Sequence, residues 1–399
     1  MTMRNTTGAP AEGEDFFERP AELARLWREM EHGNNLRLNA PRRVGKTSLV
    51  LRHCEAWKQR GLTAVYLNVE DTTDELSFVE KLLEGLRSAS LQPDALTRGR
   101  LLVQNARKAL GISGFKPGWG INVELSGEGE STTLARAVES VFQAIDQEGK
   151  QVLIAIDEMP EVLLALSKAE DGKNRVAQVL HWLRALRQTY RRQIRWIFLG
   201  SIGLEGFVEE QLLGKTINDL TPFRLDAFTA AEADAFLARL SEDNKLPIAR
   251  EIRADIIARV GWPLPHHLQI FFHALVELES PAIDAEKVEA AFANLLGPHH
   301  HSEFDTWRQR LDEQFSKEEA AASKTILTHL CKHASGRSRA QILNALMGRK
   351  KTDDPDAVEE QLARLLQLLQ RDGYLIMDRE RYAFRSFLLR EYWVRHYVK

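Results

Sequence analysis

The run Ala40-Pro-Arg-Arg-Val-Gly-Lys-Thr47 constrains this chain more than any other feature, because it joins a short strand, Leu36–Asn39, to a stretch of helical periodicity, Lys46–Gln59. A strand, then A-x-x-x-x-G-K-T, then a helix presents backbone N–H groups and the positive end of a helix dipole to an anion. Lys46 adds a cation that reaches the β and γ oxygens of a triphosphate, and the Thr47 hydroxyl is placed to ligate Mg²⁺. Pro41, Arg42, Arg43, Val44, Gly45 and Ser48 complete the cradle around them, with Arg42 and Arg43 suited equally to phosphate, to a neighbouring subunit or to solvent. Residue frequencies alone produce this pattern in roughly one chain of such length in thirty. Its position between a strand and a helix makes an exposed lysine-rich turn the weaker reading. Ala40 stands where glycine is usual, and alanine tolerates positive φ poorly, so the loop must turn there with ordinary φ.

Around this loop, strands and helices alternate. Strand patterns fit 63–69, Gln151–Ile156, Ile194–Leu199 and Thr221–Leu225, and helical ones fit 15–30, 73–89, 94–110, 132–147 and 173–190. The glycine-rich stretch 111–129 reads as a loop carrying a short strand at Ile121–Leu125. Such alternation predicts an α/β fold with a parallel sheet covered on both faces. From Thr229 the pattern is helical throughout. It opens on a Thr229–Glu232 capping box and continues over 249–260, 265–278, 284–296 and 303–315. From 318 a new module starts, with helices at 318–332, 338–347 and 356–371 and strands at Tyr374–Asp378 and Tyr382–Arg385. Three helices and a hairpin follow the order of a winged helix. The expected division is a flexible N-terminus (1–14), an α/β core (15–227), a helical lid (228–315) and a winged-helix domain (316–399).

Two carboxylates end the apolar run V-L-I-A-I-D-E, and ligand chemistry in open α/β sheets sits at the C-terminal edge of the strands. Asp157 therefore suits Mg²⁺, directly or through another ligand, and Glu158 is placed to orient and deprotonate a water. A solvated strand end explains one acid there but not two after a wholly apolar strand. The run W-I-F-L-G-S puts the Ser201 hydroxyl at the end of another strand, as a polar sensor of the terminal phosphate or simply as a strand terminator. In Gly261-Trp-Pro263, Pro263 can touch a nucleotide base, while the same residues also suit a helix end and the next helix start. His266-His267 and His299–His301 lack Cys or acid partners at zinc-type spacing and read as polar or structural.

With 44% hydrophobic and 28% charged residues, the 399-residue composition is that of a water-soluble globular protein of two or three domains. No run approaches the ~18 apolar residues of a membrane span, and the N-terminus has no secretory apolar core. Cys54 and Cys331 alone cannot form a disulfide framework, which predicts a reducing, cytoplasmic setting without membrane contact. Residues 317–399 carry sixteen lysines and arginines against eleven aspartates and glutamates. The basic residues lie at Arg349-Lys350-Lys351 and at Arg379, Arg381 and Arg385. The candidate recognition helix instead begins Asp353-Asp-Pro-Asp356-Ala-Val-Glu359-Glu360, which DNA phosphates would repel. Docking of a partner protein is the better expectation, and DNA binding through the winged helix the alternative.

With these residues in place, the chain resembles the STAND-type P-loop ATPases, AAA+-like proteins, near their archaeal-ATPase-like branch. The resemblance rests on FFERPAEL, LNAPRRVGKTSLV, ISGFKPGWGINVEL, LIAIDE, FLGS, GWPLPHHLQ and FDTWRQRL, in that order along nearly the whole chain. It implies a sheet of order 5-1-4-3-2, a lid, a winged helix, and slow, regulatory hydrolysis of ATP with Mg²⁺. ATP would toggle conformation and often assembly into a homo-oligomer, acting on an effector or partner protein. By motif match, Lys46 and Thr47 inherit the phosphate and Mg²⁺ roles, Asp157 Mg²⁺, Glu158 the activation of water, Ser201 the sensor role and Pro263 a place beside the nucleotide.

Overall fold

The structure is a computed structural model that describes residues 2–89, 122–124, 131–200, 204, 207–208, 211–348 and 355–398. It divides into two compact units: Glu18–Arg42 with Lys46–Leu225, and Met1–Phe17 with Arg43–Gly45 and Asp226–Lys399.

The first unit runs α1 (Pro20–Glu31), β1 (Asn35–Asn39), α2 (Lys46–Gln59), β2 (Thr63–Asn68), α3 (Glu75–Ser88), β3 (Asn122–Glu124), β4 (Ser131–Thr133), α4 (Leu134–Gln147), β5 (Val152–Asp157), α5 (Met159–Ser167), α6 (Gly172–Thr189), β6 (Ile194–Gly200) and β7 (Leu220–Phe223). Its main sheet is parallel, in the order β2-β5-β6-β1-β7. Counted along the chain without the separate β3-β4 pair, this is the expected 5-1-4-3-2 arrangement. Every residue of β5 is buried, and in β6 only Arg195 is partly exposed, as interior strands covered on both faces require. β7 tolerates Pro222 because it is an edge strand, where one face of the backbone needs no ladder donor. Trp196 of β6 is fully buried and stacks on Phe142 of α4 at 5.7 Å, tying a helix to the sheet. The Asp74 side chain caps α3 by accepting from the Ser77 N–H at 2.8 Å. Buried Glu75 pairs with Arg175 of α6, whose Nε donates to Oε1 at 2.7 Å.

Three expectations change. The helix expected over 15–30 starts only at Pro20, whose fixed φ and missing N–H suit a first helical turn. The apolar segment after Glu158 forms α5, and the last residues of the chain form a further helix; neither was read from sequence. The helix expected at 94–110 and most of the 111–129 loop lie outside the described residues, whereas the strand expected at Ile121–Leu125 is present as β3.

The second unit holds α7 (Ala230–Asp243), α8 (Arg250–Val260), α9 (Pro265–Val276), α10 (Ala285–Leu295), α11 (His301–Gln314), α12 (Lys317–Cys331), β8 (Arg337–Ser338), α13 (Arg339–Met347), α14 (Pro355–Arg371), β9 (Leu375–Asp378), β10 (Arg381–Phe384) and α15 (Phe387–Tyr397). Capping boxes start α7 at Thr229/Glu232, α12 at Ser316/Glu319 and α13 at Ser338/Gln341. Residues 2–17 belong to this unit. Met3 is buried, its N–H donates to Asp243 Oδ2 at 2.8 Å, and Asn5 Nδ2 donates to the Gln269 carbonyl at 3.0 Å. From α12 to β10 the order is helix, strand, two helices and a hairpin, with the sheet order β8-β10-β9.

The corner between α8 and α9 carries α15. Ser386 is fully buried and its Oγ donates to the Val260 carbonyl at 3.1 Å while accepting from the Leu389 N–H. Gly261 has φ +72°, and a Cβ there would stand 2.6 Å from the Phe387 nitrogen, so the corner needs glycine twice over. Gly261→Ala is therefore expected to lose at least about 2 kcal/mol in urea denaturation. Gly214→Ala, at a site with open space and no positive φ, should stay within about 0.5 kcal/mol of the parent. Burial also pushes the Cys54 thiol up to about 12 and that of Cys331 to about 11. Both should resist iodoacetamide at pH 8 in the folded protein and react only on unfolding, as mass spectrometry would show.

Candidate functional site

Because the five strands are parallel, their C-terminal ends share one edge, and register sets what meets there. Asn39, at the end of β1, is level with Gly200 of β6, and Ile156 of β5 with Phe198 of β6. The loop leaving β1 and the acids leaving β5 therefore emerge on the same edge. Within the loop, Arg43 (φ 68°) and Gly45 (φ 90°) take the left-handed conformation. Ala40 is absent from the left-handed residues, as its side chain demands, and is buried at the strand end. Gly45 has no neighbour within 4 Å of a Cβ, so backbone conformation alone calls for glycine there.

Lys46 opens α2 and is buried, with Nζ donating to the Ala40 carbonyl at 2.9 Å and to that of Pro41 at 3.1 Å. Its ammonium thus lies across the neck of its own loop. Thr47 follows, and its Oγ1 donates to Asp157 Oδ2 at 2.6 Å. This bond joins the two motifs that the sequence placed far apart. Asp157 is 2% exposed, and its other oxygen, Oδ1, accepts from the Glu158 N–H at 3.0 Å. Glu158 has φ 58° and stands immediately before α5, a left-handed conformation that a non-glycine residue adopts at a cost of about 1–3 kcal/mol. Ser48 is buried within α2, and Pro41 and Arg42 are half-buried on the loop.

Tyr66, on β2, was not named from sequence and completes the cluster. Its hydroxyl donates to Asp157 Oδ2 at 2.8 Å, so this single oxygen receives two hydroxyl donors. Burial, followed by the charge of Asp157, raises the Tyr66 pKa, and the hydroxyl remains a donor at any ordinary pH. A tyrosine in a strand is common enough to draw no notice. The signal lies in the pairing of β2 with β5, where Tyr66 is level with Ala155 and Asn68 with Asp157.

Other expected site residues belong to the second unit or fall outside the described residues. Pro263 belongs to the second unit, where its carbonyl accepts from the Phe228 N–H at 3.1 Å. Arg43 is grouped with that unit too, with Nη2 3.8 Å from Glu303 Oε2. Glu303 Oε2 is also 3.0 Å from His266 Nε2. Burial lowers the His266 pKa, and the hydrogen bond from His266 lowers that of Glu303, so a neutral imidazole faces an ionised carboxylate. Ser201 lies outside the described residues. Among the described residues no group of three His, Cys, Asp or Glu side chains could hold a metal, and no helix is long and apolar enough to cross a membrane. A threonine hydroxyl beside a buried carboxylate supplies hard oxygen donors, and this chemistry fits Mg²⁺.

No family model matches the chain, and no curated protein matches it. Among solved structures, the chain is similar to the Walker-type ATPase of Pyrococcus abyssi, with a TM-score of 0.65 over 97% of this chain and 99% of that one at 15% identity. It is also similar to the Aeropyrum pernix ORC2 protein in its ADPNP–ADP complexes, with a TM-score of 0.57 over 94% and 91% at 14% identity. At such identities the likeness is one of architecture. The chain shares the α/β architecture of these two structures, built around a parallel sheet.

Proposed function

We propose that this chain binds ATP with Mg²⁺, hydrolyses it slowly, and acts as a STAND-type conformational switch on a partner protein. One observation carries the reading: the 2.6 Å bond from Thr47 to a buried Asp157 that is followed directly by Glu158. It sets a phosphate loop, a metal-suited oxygen pair and a second acid side by side along the sheet edge. In this reading the loop N–H groups and the α2 N-terminus cradle the phosphates, with Pro41–Gly45 as their frame and Ser48 behind them. Lys46 exchanges neutral carbonyl partners for phosphate oxygens, which bind an ammonium more strongly. Thr47 and Asp157 hold Mg²⁺, which neutralises charge on the phosphates when bound. The Glu158 carboxylate takes a proton from the attacking water. Ser201 senses the terminal phosphate, and Pro263 contacts the nucleotide from a helical lid over 228–315. The winged-helix domain at 316–399 docks the partner, and a nucleotide-dependent homo-oligomer is the form such switches often take.

The structure favours a protein partner over DNA at the hairpin. Arg381 Nε and Nη2 donate to the Ser335 and Gly336 carbonyls at 2.9 and 2.7 Å. Arg385 lies over the Trp262 ring at 4.3 Å, and burial lowers its pKa. Two of the three basic hairpin residues are thus committed to the fold. At the start of α14, Glu359 pairs with Arg339 at 3.2 Å and Asp356 is exposed, which offers little to a phosphate backbone.

Lys46→Ala is expected to weaken ATP binding by roughly two orders of magnitude in calorimetry. Glu158→Gln should keep ATP while turnover falls by roughly 10²–10³ in a phosphate-release assay. Equal ATP affinity in the parent and Lys46→Ala would overturn the site assignment. Glu158→Gly should stall turnover equally, yet gain about 0.5–1 kcal/mol in denaturant unfolding by relieving the left-handed backbone. For the partner, capture by Glu158→Gln in ATP should exceed capture in ADP. For DNA, salt-dependent duplex binding that weakens on neutralising Arg349, Lys350 and Lys351 would favour the initiator-type alternative instead.

A further inference from the structure

We propose that Tyr66 is a positioning residue for the divalent cation: by sharing Asp157 Oδ2 with Thr47, it fixes the carboxylate that orients the Thr47 hydroxyl and turns only Oδ1 toward the cation. This inference rests on the Mg²⁺ reading of the Thr47–Asp157 pair given above.

The geometry is specific. A carboxylate oxygen has two in-plane lone pairs, and Oδ2 receives two hydroxyl donors, Thr47 Oγ1 at 2.6 Å and Tyr66 at 2.8 Å. Its in-plane capacity is used, so Oδ2 has no strong donor direction left for a metal. The other oxygen accepts the Glu158 N–H at 3.0 Å, which sets the carboxylate plane. The residue is 2% exposed, so water does not compete for these positions. The Thr47 proton is directed at Asp157, so lone pairs are what its oxygen has to offer a cation. Without Tyr66, Oδ2 would regain an acceptor direction, and the carboxylate could rotate away from Thr47. Tyr66 reaches this position from the neighbouring strand, where β2 and β5 pair over their full length. Partners that orient metal ligands in this way change metal affinity by about 10- to 100-fold when removed.

The test is Tyr66→Phe, which keeps the ring and removes only the hydroxyl. Affinity for a fluorescent ADP would be measured in EDTA and then across a Mg²⁺ titration, alongside thermal unfolding without nucleotide. The expected result is unchanged affinity in EDTA, unchanged unfolding, and a Mg²⁺ requirement raised on the order of tenfold. In an Asp157→Asn background the same substitution should add nothing, because its acceptor has changed. A Mg²⁺ requirement unmoved by Tyr66→Phe, while Thr47→Val and Asp157→Asn both raise it, would overturn the positioning role and leave the metal reading intact. If Thr47→Val and Asp157→Asn also left it unmoved, the metal reading would fall and this proposal with it. An equal effect of Tyr66→Phe with and without Asp157→Asn would mean that the ring acts through packing, and would likewise overturn it.

Discussion

Burial of β5 and β6 on both faces is the condition on which the rest of the first unit depends. A strand enclosed by its neighbours and by helices above and below cannot carry a charge along its length without a large desolvation penalty. Val152–Ile156 accordingly contains no polar side chain, and the first acid comes at Asp157, where the strand reaches the sheet edge. β1 carries Arg37 at a half-buried position, yet it too ends at this edge, in the loop that leads to Lys46 and Thr47. Parallel pairing then makes these edges one edge. The hydrogen bond between Thr47 and Asp157 is a product of sheet order as much as of either motif.

Much of this was legible in the amino-acid sequence because the signals were physical and local. The apolar runs of β5 and β6 are too short for typical helices and too uniform for surface strands. The Thr229/Glu232 cap marks the first helix of the all-helical region to within a residue. The sheet order came from resemblance, since periodicity says which segments are strands and not which ones touch. α5 escaped notice because M-P-E-V-L-L-A-L-S is nearly all apolar and nine residues long, without a polar face to betray a period. α15 escaped because F-L-L-R-E-Y-W-V-R-H-Y mixes aromatic and β-branched residues that read as well for a strand; its buried Tyr392 and Trp393 make it a helix by packing.

The candidate site divides along the same line. Lys46, Thr47, Asp157 and Glu158 stand in contiguous motifs, and a reader of the sequence meets them whole. Tyr66 contributes through a cross-strand relation that becomes visible only once β2 is known to pair with β5. The same is true of the hairpin arginines, which look alike in sequence as basic residues near a turn. Arg381 tethers the backbone at Ser335–Gly336, and Arg385 covers Trp262. Charge can be counted from a sequence, but its employment depends on what lies within reach.

The seat of α15 on the Gly261 corner has a mechanical consequence. A hinge needs slack, and this corner has none, because the backbone of Phe387 fills the space where a side chain at 261 would be, and Ser386 is bonded to the last carbonyl of α8. Bending at Gly261 would have to carry the end of the chain with it. Within the second unit, then, the last carbonyl of α8 is tied directly to Ser386, two residues beyond the end of β10, with no slack between them.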